Sequence, residues 1–148
     1  MNLIVTEVVN FGERPPVTKP HPDFLKFLGE DGLRKAVNDH YESLKTSEIR
    51  QLFPLDEDEF AEAKKNASDF FIQILGGHAH FTQNRGAPRM VGRHAPFRIT
   101  PSARRVWLEL YIPILEKLSD KVPTPLIEIF WNYLNIFSIW MINTKEDQ

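Results

Sequence analysis

The residues best able to do chemistry gather in one stretch. Between Arg85 and Leu108 stand six arginines (Arg85, Arg89, Arg93, Arg98, Arg104 and Arg105) with no Asp or Glu among them, in a chain of formal charge −2. Guanidinium groups without acidic neighbours favour an anion, which is either a small bound dianion or acids brought in from elsewhere in the fold. A nucleic acid would demand a broader basic surface than 18 Lys+Arg set against 20 Asp+Glu supply. Four of the five histidines are His40, His78, His80 and His94. His78, His80 and His94 could offer three nitrogens to a metal, but no carboxylate lies between Asp69 and Glu109 to complete the set. The absence of cysteine removes disulfides, iron–sulfur clusters, thiolate zinc sites and a thiol nucleophile. No P-loop, Gly-rich dinucleotide turn or Ser-His-Asp ordering is present.

The elements that must position these residues are helical. At roughly 150 residues per domain, 148 residues make one domain with a real core. Residues 1–22 hold four of the eleven prolines and no helical period, so they read as an extended or loosely docked arm, with Leu3 to Val9 the one stretch resembling a strand. From residue 23 to 148 the expectation is a single all-α domain of five or six helices. Phe24, Leu25, Phe27 and Leu28 predict a short helix, Gly29 and Gly32 a break, and Leu33, Val37, Tyr41 and Leu44 a second helix over about 32–46. Asp56 to Glu59 open a third, whose inner stripe is Phe60, Ala63, Ala67, Phe70, Phe71 and Ile74, and Gly76-Gly77 stops it. Residues 76–101 show no sustained period and read as a long functional loop. Thr100 or Ser102 caps the next helix, which Pro113 should kink.

The last helix, about 124–143, has only Glu128, Asn132, Asn135 and Ser138 as polar residues between Leu126 and Ile142, all on one narrow face. It is too short and too interrupted for a membrane span, and its apolar circumference predicts a central position plus a homodimer contact. The start of the chain lacks the features of a signal peptide, so a cytoplasmic protein is expected.

His94 stands in Gly92-Arg93-His94-Ala95-Pro96-Phe97-Arg98-Ile99. Facing it would be aromatics (Tyr41, Phe53, Phe70, Phe71, Trp107), the small Ala63 and Ala67, and a rim of arginines. That inventory suits a flat apolar dianion held by one axial imidazole, which describes a haem. The chain resembles the truncated (2/2) haemoglobins, and within them the group II type. The resemblance is carried by Leu75-Gly76-Gly77, by Gly86-Ala87-Pro88-Arg89-Met90, by Arg93-His94-Ala95-Pro96-Phe97-Arg98-Ile99, and by Trp107 thirteen residues after His94. It runs from about Phe24 to Asn143 and leaves the first 22 residues outside.

The resemblance implies a two-over-two helical sandwich around haem b, with His94 the proximal iron ligand and Arg93 paired to a propionate. It also implies that Tyr41 and Trp107 are distal ligand-binding residues, that Phe53 wedges against the haem, and that Ala63 and Ala67 stand where the family often has polar distal groups. Phe70, Phe81, Arg89 and Phe97 complete the expected haem contacts. The sequence departs from the pattern in four places. His40 replaces an aromatic before Tyr41, the segment from Tyr41 to Phe53 is one residue short, Gly-His-Pro has become Gly86-Ala87-Pro88, and Phe81 replaces a tyrosine that bonds a propionate. The propionate side would then lean on Arg93, Arg89 or His80.

The implied function is reversible binding of O₂ or another diatomic ligand, with possible redox turnover of peroxide or nitric oxide served by an unknown reductase. Tyr41 and Trp107 are the donors available to a bound ligand, and Ala63 leaves the entry sterically open. The alternative is a helical anion-binding or interaction module without haem, and a visible absorption spectrum separates the two. Neither reading involves nucleic acid or a membrane.

Overall fold

A computed structural model describes residues 1–146 of the chain. Among the described residues there are six α-helices and no strand: α1 (Asp23–Leu44), α2 (Glu57–Ile74), α3 (His80–Arg85), α4 (Met90–His94), α5 (Pro101–Lys117) and α6 (Thr124–Met141). Single 3₁₀ turns lie at Arg50–Leu52 and Leu118–Asp120. α1 packs on α2 and α5 on α6, and α1 also touches α5 and α6, which gives the two-over-two arrangement. Phe24, Leu33, Val37, Ile72, Leu108, Leu115, Ile127 and Leu134 meet in the core between them.

The break expected inside the first helical region is real. Gly29 has φ 79° and ψ 160°, so the axis turns there before the run that ends at Tyr41 and Leu44. Asp56 caps α2 by accepting from the Glu59 N–H at 3.0 Å. Gly76, at φ 87°, ends it, and the Gly77 N–H reaches back to the Ile72 carbonyl at 2.9 Å. A side chain at residue 77 would meet that carbonyl and Leu25 within 2.9 Å, so glycine is required by close approach as well as by the turn. α1 and α2 are tied by Arg34 to Asp69 at 2.8 Å, with Lys65 on the other carboxylate oxygen at 3.2 Å. Burial works against the Asp69 charge, but the bonds from Arg34 and Lys65 outweigh it and hold the carboxyl below its ordinary range.

The expected long loop over 76–101 is corrected by the structure, because α3 and α4 lie inside it. Helices of six and five residues do not stand by propensity. They are held by long-range bonds that leave no period in the sequence. Asn143, just past α6, donates to the Phe97 carbonyl at 2.8 Å and accepts from the Ile99 N–H at 3.0 Å, which pins the segment after α4. Thr100, rather than Ser102, caps α5 through the Ala103 N–H at 3.1 Å, and the helix continues through Pro113.

The region from Leu3 to Val9 is likewise corrected: it pairs with no strand. The arm of residues 1–22 is docked along α6, where the Ile4 carbonyl accepts from the Trp131 indole at 3.0 Å and the Pro15 carbonyl from the Trp140 indole at 2.8 Å. Thr6 exchanges two bonds with the Asn135 side chain, each 2.9 Å. Of the polar residues of α6, Glu128 and Asn135 therefore have partners in the arm, and much of the apolar circumference that suggested a second copy is covered within the chain. No helix among the described residues is long and apolar enough to cross a membrane.

Candidate functional site

A cavity of about 370 Å³ opens between the helix pairs, within the usual range for a cofactor or ligand pocket. Ten of the eleven residues expected to contact the haem or its ligand line it (Tyr41, Phe53, Ala63, Ala67, Phe70, Phe81, Arg93, His94, Phe97 and Trp107), and Phe71, Arg85 and Arg104 join them. Arg89 lies outside the lining. It is exposed, and its left-handed backbone at φ 42° turns the chain into α4.

His94 shows how one imidazole can be prepared as a ligand. Its Nδ1 lies 2.6 Å from the Met90 carbonyl, which can only accept, so Nδ1 carries the proton and Nε2 keeps its lone pair. The bond also fixes the ring one turn back along α4. His78 and His80 do not join it. Their Nε2 atoms bond Gln83 at 2.9 Å and Glu30 at 3.0 Å, and neither lines the cavity. No group of three His or acidic residues able to hold a metal exists among the described residues, so the three-nitrogen site is excluded and a single axial imidazole is what the geometry offers.

The arginine run does not act as one patch. Arg93 donates through Nε to the Pro88 carbonyl at 2.6 Å and through Nη2 to the carbonyls of Arg85 and Ala87 at 2.8 and 3.0 Å. It thereby clamps the turn between α3 and α4, lies over the Phe81 ring at 5.1 Å, and has only Nη1 uncommitted. Arg104 is buried, bonded to Ser138, the Thr6 carbonyl, and the carbonyl and side chain of Asn135 at 2.5 to 2.9 Å. Burial lowers its pKa to about 10. Arg105 pairs with Glu7 of the arm. Arg85, exposed at the edge of the cavity, makes no side-chain bond to another described residue and is the cation of the lining most available to an anionic occupant.

On the opposite wall the polar groups are uncommitted. Neither the Tyr41 hydroxyl nor the Trp107 indole N–H bonds another described residue. Tyr41 is fixed instead by edge contacts with Phe53 and Phe60 at 5.7 and 5.5 Å. Burial pushes its phenol up to about 12, so it stays a donor at neutral pH. Trp107 is set from behind by His40, whose Nε2–H donates to the Trp107 carbonyl at 2.9 Å while its ring stacks on Tyr111 at 3.5 Å. Burial lowers His40 to about 3, so it is neutral, and its buried Nδ1 has no partner.

Sequence reading missed Asn66, Tyr111 and the α6 contributors Tyr133, Phe137 and Met141, all of which line the cavity. Two of these carried a signal. Ala63, Asn66, Ala67 and Phe70 form one i, i+3, i+4, i+7 stripe, and Tyr111 follows Trp107 by one turn. The Asn66 Oδ1 is buried and unpartnered.

The residues fit a haem: a slot walled by aromatics, one imidazole with a free Nε2, cations at the rim, and uncommitted donors in the same cavity. Comparison with known proteins agrees. The family model described as bacterial-like globin matches residues 24–143. The chain is 28% identical to the group 2 truncated haemoglobin YjbI of Bacillus subtilis over 80% of its own length and 87% of that protein. It is 42% identical to two-on-two haemoglobin-3 of Arabidopsis thaliana over 48 residues, spanning 32% of this chain and 27% of that one. Among solved structures it is similar to phosphate-bound Hell's gate globin IV, at 33% identity and a TM-score of 0.85, covering 97% of this chain and 89% of that one. The chain therefore belongs to the bacterial-like globin family, whose cofactor is haem, and is similar within it to the group II truncated haemoglobins.

Proposed function

We propose that the chain binds haem b through His94 Nε2 and uses the cavity face under Tyr41 and Trp107 to bind O₂ or another diatomic ligand reversibly. The observation that carries this reading is the His94 Nδ1–H bond to Met90, in a cavity to which the described residues bring no second imidazole and no carboxylate. Haem, when bound, would supply an iron able to take a small diatomic ligand. The protein supplies everything else: the axial nitrogen, an apolar slot that excludes water, and two donors, O–H and N–H, that favour a ligand carrying negative charge. Arg93 Nη1 and Arg85 are the groups left to meet the propionates, whereas His80 is engaged with Glu30. Arg104 and Arg105 are occupied within the fold, so of the arginine run it is Arg85 and Arg93 Nη1 that remain at the cavity for an anionic group.

A homodimer would have to meet through what the arm leaves open on α6, around Ile129 and Asn132. Sedimentation at high concentration measures whether it forms.

The test of the main reading is the visible spectrum of the purified protein. It should show a Soret band that shifts on adding CO. His94→Ala should fold and lose the haem, while His78→Ala and His80→Ala keep the wild-type spectrum. A His94→Ala protein with an unchanged Soret band would overturn the assignment.

A further inference from the structure

Three cations line the cavity, Arg85, Arg93 and Arg104, and no carboxylate among the described residues lines it with them. Arg85 is exposed and Arg93 partly so, and water screens both. Arg104 is 4% exposed, and its hydrogen bonds go to four neutral acceptors: the Ser138 hydroxyl, the Thr6 and Asn135 carbonyls and the Asn135 side-chain oxygen. Among the described residues it forms no ion pair, and Glu13 of the arm is the one carboxylate whose charge reaches it. Neutral acceptors satisfy the hydrogens of a guanidinium without cancelling its charge. With little water around it, that charge carries into the cavity more strongly than a surface charge does. Its place is set by two helices: Arg104 precedes Trp107 by one turn of α5, and its partner Ser138 lies shortly before Asn143, which bonds the His94 carbonyl at 3.3 Å.

We propose that Arg104 is a specificity-determining residue of the ligand site, whose buried charge selects anionic ligands of iron over neutral ones and favours the ferrous over the ferric state. It acts through its field, since its hydrogens are taken by the scaffold. This inference rests on the haem reading above. A ferric iron adds positive charge to a cavity that already holds an uncancelled cation, so reduction or an incoming anion relieves the repulsion and a neutral ligand does not. Glu13 works against this effect from the arm, which couples the docked residues 1–22 to the cavity that they do not line.

Azide and imidazole provide the probe, since both ligate ferric iron through nitrogen, azide as an anion and imidazole, above its own pKa, as a neutral molecule. In spectral titrations of the ferric holoprotein, Arg104→Met should weaken azide by about 5- to 30-fold, the effect of a unit charge at roughly 10 Å in an effective dielectric of about 20, and leave imidazole within about twofold. Arg104→Lys, which keeps the charge, should hold azide within about threefold of the unaltered protein. Glu13→Gln acts in the opposite sense. It retains an oxygen for the Val9 N–H and removes the offsetting charge, so azide should bind about 2- to 5-fold tighter. The midpoint potential of the iron should fall in Arg104→Met and rise in Glu13→Gln, and Glu13→Gln decides the matter if Arg104→Met does not fold. Azide and imidazole weakened alike in Arg104→Met, or a Glu13→Gln protein with unchanged azide affinity and potential, would overturn the role of Arg104. Failure of the haem reading would look different, because the protein would have no Soret band to titrate.

Discussion

The two walls of the cavity hold their functional groups by opposite means. On the side of α1, α2 and α5, long helices fix Tyr41 and Trp107 by packing, through ring contacts with Phe53, Phe60 and Tyr111, and their polar atoms stay uncommitted. On the side of residues 79–100 the helices are too short to hold themselves. There the polar side chains make the structure: Arg93 clamps three carbonyls, His94 bonds its own preceding turn, and Asn143 pins the strand of chain beyond. A wall built by packing leaves donors for a ligand, whereas a wall built by hydrogen bonds leaves only the atoms that the scaffold does not need. His94 Nε2 is such an atom.

That contrast breaks hardest at Arg104, which lines the cavity yet serves the scaffold. Arg104→Met keeps much of the volume but strands the Thr6 carbonyl and the Asn135 and Ser138 oxygens, and it should cost about 3–5 kcal/mol in denaturant unfolding, with the arm more open to protease. A loss under about 1 kcal/mol would mean that the arm is held by apolar contact alone. On the packed wall the effect should fall on the ligand instead. Tyr41→Phe and Trp107→Phe should each speed O₂ release by roughly 10- to 150-fold, about 1.5–3 kcal/mol, while scarcely altering CO release or unfolding. Stopped-flow measurement of both ligands separates donors from mere packing.

His40 sharpens the comparison because it belongs to the packed wall and is titratable. Its folded pKa of about 3 lies below the unfolded value of 6.5, so the folded state resists protonation. Its contribution to stability is complete above pH 6.5 and lost as pH falls toward 3. Between pH 6.5 and 5 this amounts to about 2 kcal/mol, or 1.4 kcal/mol per pH unit over that window. His40→Phe should remove that part of the acid sensitivity. Unfolding curves of the two proteins from pH 7 to 5 that stay parallel would rule it out. The smallest effect expected is at Arg93, where Arg93→Ala removes three bonds to partly exposed carbonyls. It should cost about 1–2 kcal/mol and raise haem loss severalfold, and haem transfer to an acceptor apoprotein reports it. A change in haem loss with no change in stability would assign Arg93 to a propionate rather than to the turn.

Much of this was legible because it depends on local pattern. The break near Gly29 and Gly32, the acidic start of α2 at Asp56 to Glu59, a cap at Thr100 or Ser102 and the Gly76-Gly77 stop follow from residue type at fixed offsets, and the structure turns at Gly29, caps α2 with Asp56 and chooses Thr100. His94, Tyr41, Phe53 and Trp107 were found because a motif fixes their spacing, and they do meet at one cavity. α3 and α4 were missed because nothing in residues 76–101 has a helical period. They exist through bonds to Asn143 and through Arg93, partners that a local window does not contain.

What the sequence alone determined is the helical frame and the set of groups facing one another across it, since amphipathic period and capping act within a few residues. Only the tertiary structure decided how those groups are used. An arginine reads the same whether it faces an anion or a backbone carbonyl, and it took the packing of the arm on α6 to make Arg104 a scaffold residue and leave Arg85 at the rim. A histidine likewise reads the same with either nitrogen protonated. The carbonyl of Met90, one helical turn away, sets the tautomer of His94, while burial against Tyr111 and Trp107 keeps His40 neutral and behind the wall. Hydrogen-bond partners and desolvation are long-range properties of a folded chain, and they decide which of its polar atoms remain for a ligand.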